Sequence, residues 1–256
     1  MSNVKNPTGH AERPSLAISH NIDQAYRELI ARHVGEDDFM RNLTGFARRM
    51  HFTRALAYWE IFKQVADLPG DIVEVGVYKG ETLLLFAKFL EILCPGDRTK
   101  RVIGFDWFKG LDQFTAQDGE NAAVGNTVGG WNPDGFQDTL AALIDLANRD
   151  SFVPQKKRVF LEEGDIALTG PAFVEKEPGL RLSLLHLDVD QYEPTLAALR
   201  AFYPRLVTGG IVVLDEYAFH EWPGETAAVE AYFDGKPPRM HRVGWSATPS
   251  AWFVKT

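Results

Sequence analysis

Four carboxylates follow two apolar runs in the second half of the sequence. Asp188 and Asp190 follow LSLLHL. Asp215 and Glu216 follow GGIVVL. If both runs are parallel strands, their carboxyl ends meet at the sheet edge where α/β proteins bind ligands. Converging carboxylates repel one another, so they require protons, basic partners or a divalent cation, and oxygen ligands suit Mg²⁺. We predict Asp188, Asp215 and Glu216 as magnesium ligands; the alternative is that each acid caps a helix or faces solvent.

Two carboxylates and three histidines are candidate proton acceptors. Asp188 and Asp190 are the carboxylate candidates. Because the chain is expected to turn after its strand, Asp190 is alternatively a neighbour of the ligands or the N-cap of a helix that begins near Pro194. Histidine titrates near neutral pH, which adds His186, His220 and His51. His186 alternates with Asp188 along the strand and is expected in the core, so His220 is the better histidine candidate.

The segment EVGVYKG at 74–80 forms a second group of candidate residues. Gly76 and Gly80 let the backbone approach a ligand, and the helix predicted to follow presents free N–H groups. The spacing is G-x-x-x-G rather than the G-x-G-x-x-G of pyrophosphate-binding turns, and Glu74 precedes it. S-adenosylmethionine carries two cationic groups that a carboxylate stabilises and a carboxylate that a helix N-terminus can meet. The segment therefore favours this cofactor; the alternative is a tight turn without a ligand.

Two more strand ends supply predicted cofactor contacts. Asp106 ends the run IGFD, at the position where an acid usually bonds ribose hydroxyls. Gly164 and Asp165 close another run and are expected to border the adenine ring, with Asp165 accepting from its amine. Either aspartate is alternatively a helix N-cap. The predicted cofactor-binding residues are Glu74, Gly76, Tyr78, Gly80, Thr82, Asp106, Gly164 and Asp165.

Alternating strands and helices must position these residues. Apolar runs without clean alternation predict strands covered on both faces, at 71–77, 101–108, 158–165, 182–190 and 209–217. Helical spacing predicts helices at 80–93, 136–148 and 194–206. This order predicts a Rossmann-like α/β fold with a mostly parallel, doubly wound sheet. The final run, from His241, predicts one or two antiparallel closing strands at the sheet edge.

The predicted organisation is a single domain with appendages. Residues 1–20 are interpreted as a flexible arm, 21–68 as a helical cap of two or three helices, and 69–256 as the cofactor domain. Residues 112–138 form a long loop rich in Gly and Asn, which is typical of a lid over a binding site. Four aromatic residues of the cap and loop are candidate acceptor contacts, namely Tyr58, Trp59, Phe114 and Trp131; ordinary core packing is the alternative for the first two.

Composition narrows the class of partner. A net charge of −8 without a basic run argues against nucleic acid, which requires a cationic surface. The single cysteine, Cys94, allows no disulfide within one chain and fits a reducing cytoplasm. The polar start lacks the apolar core of a signal peptide, and no run is long enough to span a membrane. The apolar N-terminal helices predict a homo-oligomer.

Three segments together resemble the macrocin O-methyltransferase family. They are GDIVEVGVYKGET at 70–82, FDWFKGL at 105–111 and LHLDVDQYEPTLAALRAFYPRLVTGGIVVLDEY at 185–217. The resemblance spans about residues 40–235 and implies a class I methyltransferase fold, S-adenosylmethionine, and a divalent metal held at Asp188, Asp215 and Glu216. It implies methylation of a sugar hydroxyl on a natural product. This chain has Glu216 and Val189 where the family often has Asp and Gly.

Two other functions remain open from the sequence. A catechol-type O-methyltransferase would present the same pair of adjacent oxygens to a metal, and only the cap and loop distinguish a sugar from an aromatic diol. A non-catalytic cofactor-binding scaffold is the alternative outside enzymes. The four carboxylates argue against it, because a vestigial site has no physical reason to keep mutually repelling charges together.

Overall fold

The computed structural model describes residues 14–119 and 127–256. Its α-helices are α1 (Pro14–His33), α2 (Glu36–Arg41), α3 (Leu43–Phe46), α4 (Arg49–Phe62), α5 (Glu81–Leu93), α6 (Gln137–Arg149), α7 (Ile166–Lys176), α8 (Tyr192–Phe202) and α9 (Pro223–Tyr232). Its strands are β1 (Asp71–Val75), β2 (Val102–Asp106), β3 (Val159–Glu163), β4 (Leu182–Leu187), β5 (Leu206–Leu214) and β6 (Ala251–Val254).

All six strands form one sheet in the order β3-β2-β1-β4-β5-β6. Strands β1 to β5 are parallel, and β6 pairs antiparallel with β5. The chain order switches direction between β1 and β4, which is where ligands bind in open α/β sheets. The predicted α/β fold with a mostly parallel, doubly wound sheet is confirmed.

The sheet is covered by helices on both faces, which explains its continuous apolar runs. Successive strand residues point to opposite faces, so Ile72 packs into the cluster under α4, α5 and α6, and Val73 packs into the cluster under α7, α8 and α9. Aromatic side chains fill both clusters, with Phe86 on the first face and Phe202 on the second, each fully buried. These two cores hold the strand ends, and therefore the site, in fixed positions.

Helix α7 is absent from the sequence prediction. Its interior contains Gly170 and Pro171, which are weak helix formers and obscured the periodicity. Gly170 packs closely on α8, because a Cβ atom there would lie 3.1 Å from Cβ of Ala201. The helix forms because burying Phe173 against the sheet outweighs its local propensity.

Both chain ends differ in detail from the prediction. Helix α1 begins at Pro14, so a boundary between a flexible arm and a cap at residue 20 falls inside a helix; the first 13 residues of the predicted arm lie outside the described residues. The closing segment forms one strand, β6, and an isolated antiparallel bridge between His241 and Trp252. Within the described residues, every helix is too short or too polar to cross a membrane.

Candidate functional site

The turn between β1 and α5 is tightly packed against its neighbours. Gly76 has φ 91°, and a Cβ atom there would lie 1.8 Å from the carbonyl oxygen of Asp188. Gly80 has φ 85°, and a Cβ there would lie 2.3 Å from Cδ1 of Leu140 on α6. Only glycine accepts both the positive φ and the close approach. The turn therefore lies directly against the carboxyl end of β4.

A cavity of about 570 Å³ opens at these strand ends. It is lined by seven of the eight predicted cofactor residues, namely Glu74, Gly76, Tyr78, Thr82, Asp106, Gly164 and Asp165. Gly80 is the exception among these described residues, because it faces α6. The same cavity is lined by the predicted metal and base carboxylates, Asp188, Asp190, Asp215 and Glu216. The fold thus brings both predicted groups into one space.

Two of the predicted cofactor aspartates also organise backbone at the rim. Asp106 Oδ2 accepts from the amides of Val77 at 2.8 Å and Tyr78 at 2.7 Å, and its Oδ1 accepts from Phe108 at 2.7 Å. Asp165 is the N-cap of α7 and accepts from the amide of Ala167. Asp106 therefore fixes the glycine turn, a role that sequence reasoning missed because the bonds join separate strands. Its ribose contact stays a prediction.

The acids of the cluster differ in their immediate neighbours. Asp188 and Asp215 share the α4 face with His186, and one ligand atom from each of these three residues lies within 4.8 Å of the others. Glu216 follows Asp215 beyond the end of β5, and its backbone amide donates to the side chain of Glu225 on α9 at 3.0 Å. Among the described residues Glu216 is not part of this three-residue group, but it lines the same cavity, and its role as a metal ligand stays a prediction.

Arg54 of α4 lies between the two carboxylates. Its Nη2 donates to Asp188 Oδ2 at 2.7 Å and its Nη1 donates to Asp215 Oδ2 at 3.0 Å. The Nη1 atom also lies 3.2 Å from the Thr248 hydroxyl, and the guanidinium lies 5.4 Å from the ring centroid of Tyr58. Sequence reasoning missed Arg54. The available signal was a cation four residues before Tyr58 on the apolar face of a helix, where a buried charge requires an anionic partner.

A buried hydrogen-bonded chain continues from this ion pair into the core. The Tyr58 hydroxyl donates to Asp215 Oδ1 at 2.8 Å and lies 2.8 Å from His186 Nε2. His186 Nδ1 lies 3.1 Å from Glu74 Oε1 on the adjacent strand. All four side chains are at most 2% exposed. Tyr58 and His186 are thus core residues that fix the position of Asp215, rather than acceptor contact and base.

Burial and charge set the pKa values in this chain. Burial lowers the pKa of His186, but its contacts with Asp215 and Glu74 outweigh that effect and raise it to about 9. Burial raises the pKa of Glu74 to about 7 against the opposing effect of His186. Burial and the charge of Asp215 raise the pKa of Asp188, whereas the Arg54 charge overcomes burial and lowers the pKa of Asp215. Asp215 therefore holds the negative charge more firmly.

Three further acids lie beside the pair. Burial, followed by repulsion from Asp188 and Asp215, raises the pKa of Asp190 well above its ordinary value. Burial and the neighbouring carboxylates likewise raise the pKa values of Glu216 and Glu225. Asp190 has φ 59° and lines the cavity, and the N-cap of α8 is Gln191, so the predicted N-cap role of Asp190 is wrong. The site thus holds more carboxyl groups than Arg54 can pair with, and burial favours the neutral form of these three acids.

Of the four aromatic residues predicted to contact the acceptor, only Trp131 belongs to the described lining of the cavity. Trp131 lines it and packs edge-on against Tyr78, with ring centroids 5.7 Å apart. Trp59 packs against Phe89 in the core instead. His220 is exposed, and neither it nor Phe114 belongs to the described lining of the cavity. His220 follows β5 in the sequence, but the structure does not place it at the cavity.

The first described part of the predicted lid, residues 112–119, is hydrogen-bonded to the start of α8. The amide of Asp112 donates to the side chain of Gln191 at 2.8 Å, and the Gln191 amide group donates back to the Asp112 carbonyl at 2.9 Å. Asp118 accepts from the amide of Tyr192 at 2.7 Å. Residues 120–126 of this loop lie outside the described residues. The loop's first part is therefore a fixed wall of the cavity.

The parallel sheet, the glycine turn and the cavity at the strand ends define a class I S-adenosylmethionine-dependent methyltransferase fold. Comparison with known proteins supports this class. The chain matches the macrocin-O-methyltransferase (TylF) family over residues 15–237 and belongs to that family.

Solved structures and curated relatives agree with the family. The crystal structure of CalS11, a calicheamicin methyltransferase, has a TM-score of 0.85 and 27% identity, and the match covers 99% of this chain and 98% of that one. An apo structure of CalS11, a TDP-rhamnose 3'-O-methyltransferase, has a TM-score of 0.79 and 27% identity, and the match covers 95% of this chain and 96% of that one. A tetracenomycin rhamnosyl 4'-O-methyltransferase of Streptomyces olivaceus is 31% identical over 59% of this chain and 54% of its own length. The chain spans about half the length of the curated relatives it matches.

Proposed function

We propose that this chain is an S-adenosylmethionine-dependent, magnesium-assisted O-methyltransferase that acts on a sugar hydroxyl of a natural product. The observation that carries the proposal is that the glycine turn and the carboxylates Asp188, Asp190 and Asp215 line the same cavity. A cationic cofactor and a metal-binding acceptor site would therefore adjoin. Support for a sugar acceptor comes from the rhamnose and rhamnosyl substrates in the names of two similar proteins.

The residues present fit a divalent cation. A cationic group, the guanidinium of Arg54, already bridges Asp188 and Asp215, which shows that the pair can hold positive charge. Carboxylate oxygens are the donors that Mg²⁺ prefers. We propose Asp188 and Asp215 as ligands. Glu216 also lines the cavity and stays the predicted third ligand.

Each reacting group has a residue of this chain to position it. Bound S-adenosylmethionine supplies an electrophilic methyl group, and a bound divalent cation supplies positive charge that lowers the pKa of an acceptor hydroxyl. Asp190 is the proposed acceptor of the hydroxyl proton, because burial raises its pKa and makes it a stronger base than a solvated carboxylate. Tyr78 and Trp131 close the side of the cavity and would exclude water.

Calorimetry with S-adenosylmethionine, with and without MgCl₂, tests this proposal. We expect cofactor binding in both conditions and methyl transfer only with the metal. Absence of cofactor binding would contradict the methyltransferase function, whereas turnover that EDTA leaves unchanged would contradict only metal assistance. A mass-shift screen with a nucleotide-linked rhamnose, a rhamnosylated aglycone and a catechol separates the acceptor classes; methylation of the catechol alone would contradict the sugar.

We also propose that the chain forms a homo-oligomer. The described helices α1 to α4 expose large apolar side chains, which cost free energy in water. They are Ile22, Tyr26, Leu29, Met40, Leu43, Met50 and Leu56. Light scattering after size exclusion is expected to give a multiple of the 28.7 kDa chain mass. A monomer at micromolar concentration would contradict this proposal.

A further inference from the structure

Arg54 makes the same contacts that a metal ion would have to make. One guanidinium nitrogen bonds Asp188 Oδ2 and another bonds Asp215 Oδ2. The other oxygen of Asp215 already accepts from the Tyr58 hydroxyl. A divalent cation that joined both carboxylates would lie against the guanidinium, and two positive groups at that separation repel strongly. The arginine and the cation therefore exclude each other.

The bonding of Arg54 is incomplete, as expected for a group that can leave. Its Nε is buried and has no hydrogen-bond partner among the residues that the structure describes. It makes one hydrogen bond to each carboxylate rather than a two-bond fork to either. The side chain is 27% exposed and lines the cavity, whereas Asp215 is 2% exposed. The Arg54 side chain can therefore move into the cavity, whereas the Asp215 side chain is enclosed.

The position of Arg54 links this exchange to the helical cap. Arg54 belongs to α4, whereas Asp188 and Asp215 follow strands of the sheet. The two carboxylates repel each other unless a positive charge lies between them. Arg54 therefore supplies the counter-charge that allows the metal-free chain to fold with the pair in place.

Resting on the function proposed above, we propose that Arg54 is an internal competitor of the divalent cation, which binds Asp188 and Asp215 only after the guanidinium has moved out from between them. The metal affinity of the whole chain is then the intrinsic affinity of the pair multiplied by the small fraction of molecules in which Arg54 is displaced. Arg54 is a positioning residue that holds the ligands in register until the cation replaces it.

Titration of metal-free protein with MnCl₂ and MgCl₂ in a calorimeter, without cofactor or acceptor, tests this inference. In Arg54→Met, we expect the cation to bind at least about tenfold more tightly than in the unchanged protein, because the displaced state no longer has to be populated. Arg54→Lys keeps the charge but replaces the two spaced guanidinium nitrogens with a single, more flexible ammonium, so its affinity is expected between the two. A lower or equal affinity in either variant overturns the proposal.

Arg101→Met is the matched control, because Arg101 also bridges two carboxylates, Asp71 and Glu177, at the opposite end of the sheet. Its cation affinity is expected to equal that of the unchanged protein. If Arg54→Met does not fold without metal, Arg54→Lys decides alone. Titration of the same samples with S-adenosylmethionine separates the two proposals: intact cofactor binding with no gain in cation affinity overturns the competition but leaves the methyltransferase function standing.

Discussion

At each end of the sheet an arginine bridges two carboxylates, but the two arginines differ in how many of their nitrogens have a hydrogen-bond partner. At the carboxyl end, Arg54 bridges Asp188 and Asp215. At the amino end, Arg101 bridges Asp71 and Glu177. Arg101 donates through Nε, Nη1 and Nη2, and its backbone amide also bonds Asp71 at 2.7 Å. Arg54 donates through Nη1 and Nη2, while its Nε has no partner within residues 14–119 and 127–256.

The surroundings of the two arginines explain the difference. Arg101 is adjacent to β2 and lies near the basic side chains Arg98 and Arg181, so its two carboxylates are more than balanced. Arg54 comes from the cap, and Asp190 and Glu216 line the same cavity, so carboxyl groups outnumber basic side chains there. A saturated arrangement stabilises the fold, whereas an unsaturated one beside a cavity can bind a cation. Each prediction below tests one part of this contrast.

The largest expected effect is that of Asp215→Asn. Asp215 joins Arg54, Tyr58 and the proposed metal, so we expect turnover to fall by about 10²–10³-fold, because charge stabilisation at the reacting hydroxyl is lost. Cofactor affinity is expected to change little, since the glycine turn is untouched. Methyl transfer measured by mass spectrometry and calorimetry with the cofactor check this. The counterpart Asp71→Asn should keep its turnover per folded molecule; loss of cofactor binding in Asp215→Asn contradicts the division of roles.

A smaller effect is expected from Tyr58→Phe. The change removes the hydroxyl that bonds both Asp215 and His186, and it leaves two buried polar atoms without that partner. We expect a loss of about 1–3 kcal/mol in the free energy of unfolding. Turnover should fall by about tenfold, because Asp215 is less firmly oriented. Urea unfolding and initial rates measure the two. Tyr203→Phe, at a ring in the α8–α9 core, is the control; equal turnover losses in both variants would show that the Tyr58 hydroxyl has no specific role.

The fold was easier to predict from the sequence than the difference between the Arg54 and Arg101 ends of the sheet. Strands β1, β4 and β5 were identified because burial on both faces demands continuous apolar runs, which a single sequence displays. The contact between Arg54 and Asp215 spans 161 positions, and helical periodicity shows which face is buried but not which strand end it meets. Local sequence patterns were therefore enough to predict the strands. The contacts of Arg54 depend on how the cap packs against the sheet, which those patterns do not show.

Arg101→Met tests the stabilising role of the saturated end. Removing the guanidinium leaves Asp71, which is 6% exposed, without its ionic partner. We expect a loss of about 1–3 kcal/mol in the free energy of unfolding with turnover per folded molecule unchanged. Chemical denaturation and rates corrected for folded fraction measure this. A turnover loss comparable with that of Asp215→Asn would show that the two ends do not differ in function.

Glu177→Gln should have the smallest effect and a defined pH dependence. Hydrogen bonds from Arg101 hold the pKa of Glu177 below its ordinary value of 4.5, although burial opposes them. A depressed folded-state pKa stabilises the protein at pH values above 4.5, and that contribution is lost as pH falls through the folded-state value. Because the carboxylate is 29% exposed, solvent screening limits the difference to about 0.5–1 kcal/mol near neutral pH. Urea titrations of both proteins from pH 7 to acid should converge; a difference in the free energy of unfolding that persists in acid would mean that Glu177 acts through packing rather than charge. Asp71 would then be the only carboxylate of this pair that stabilises the protein through its charge.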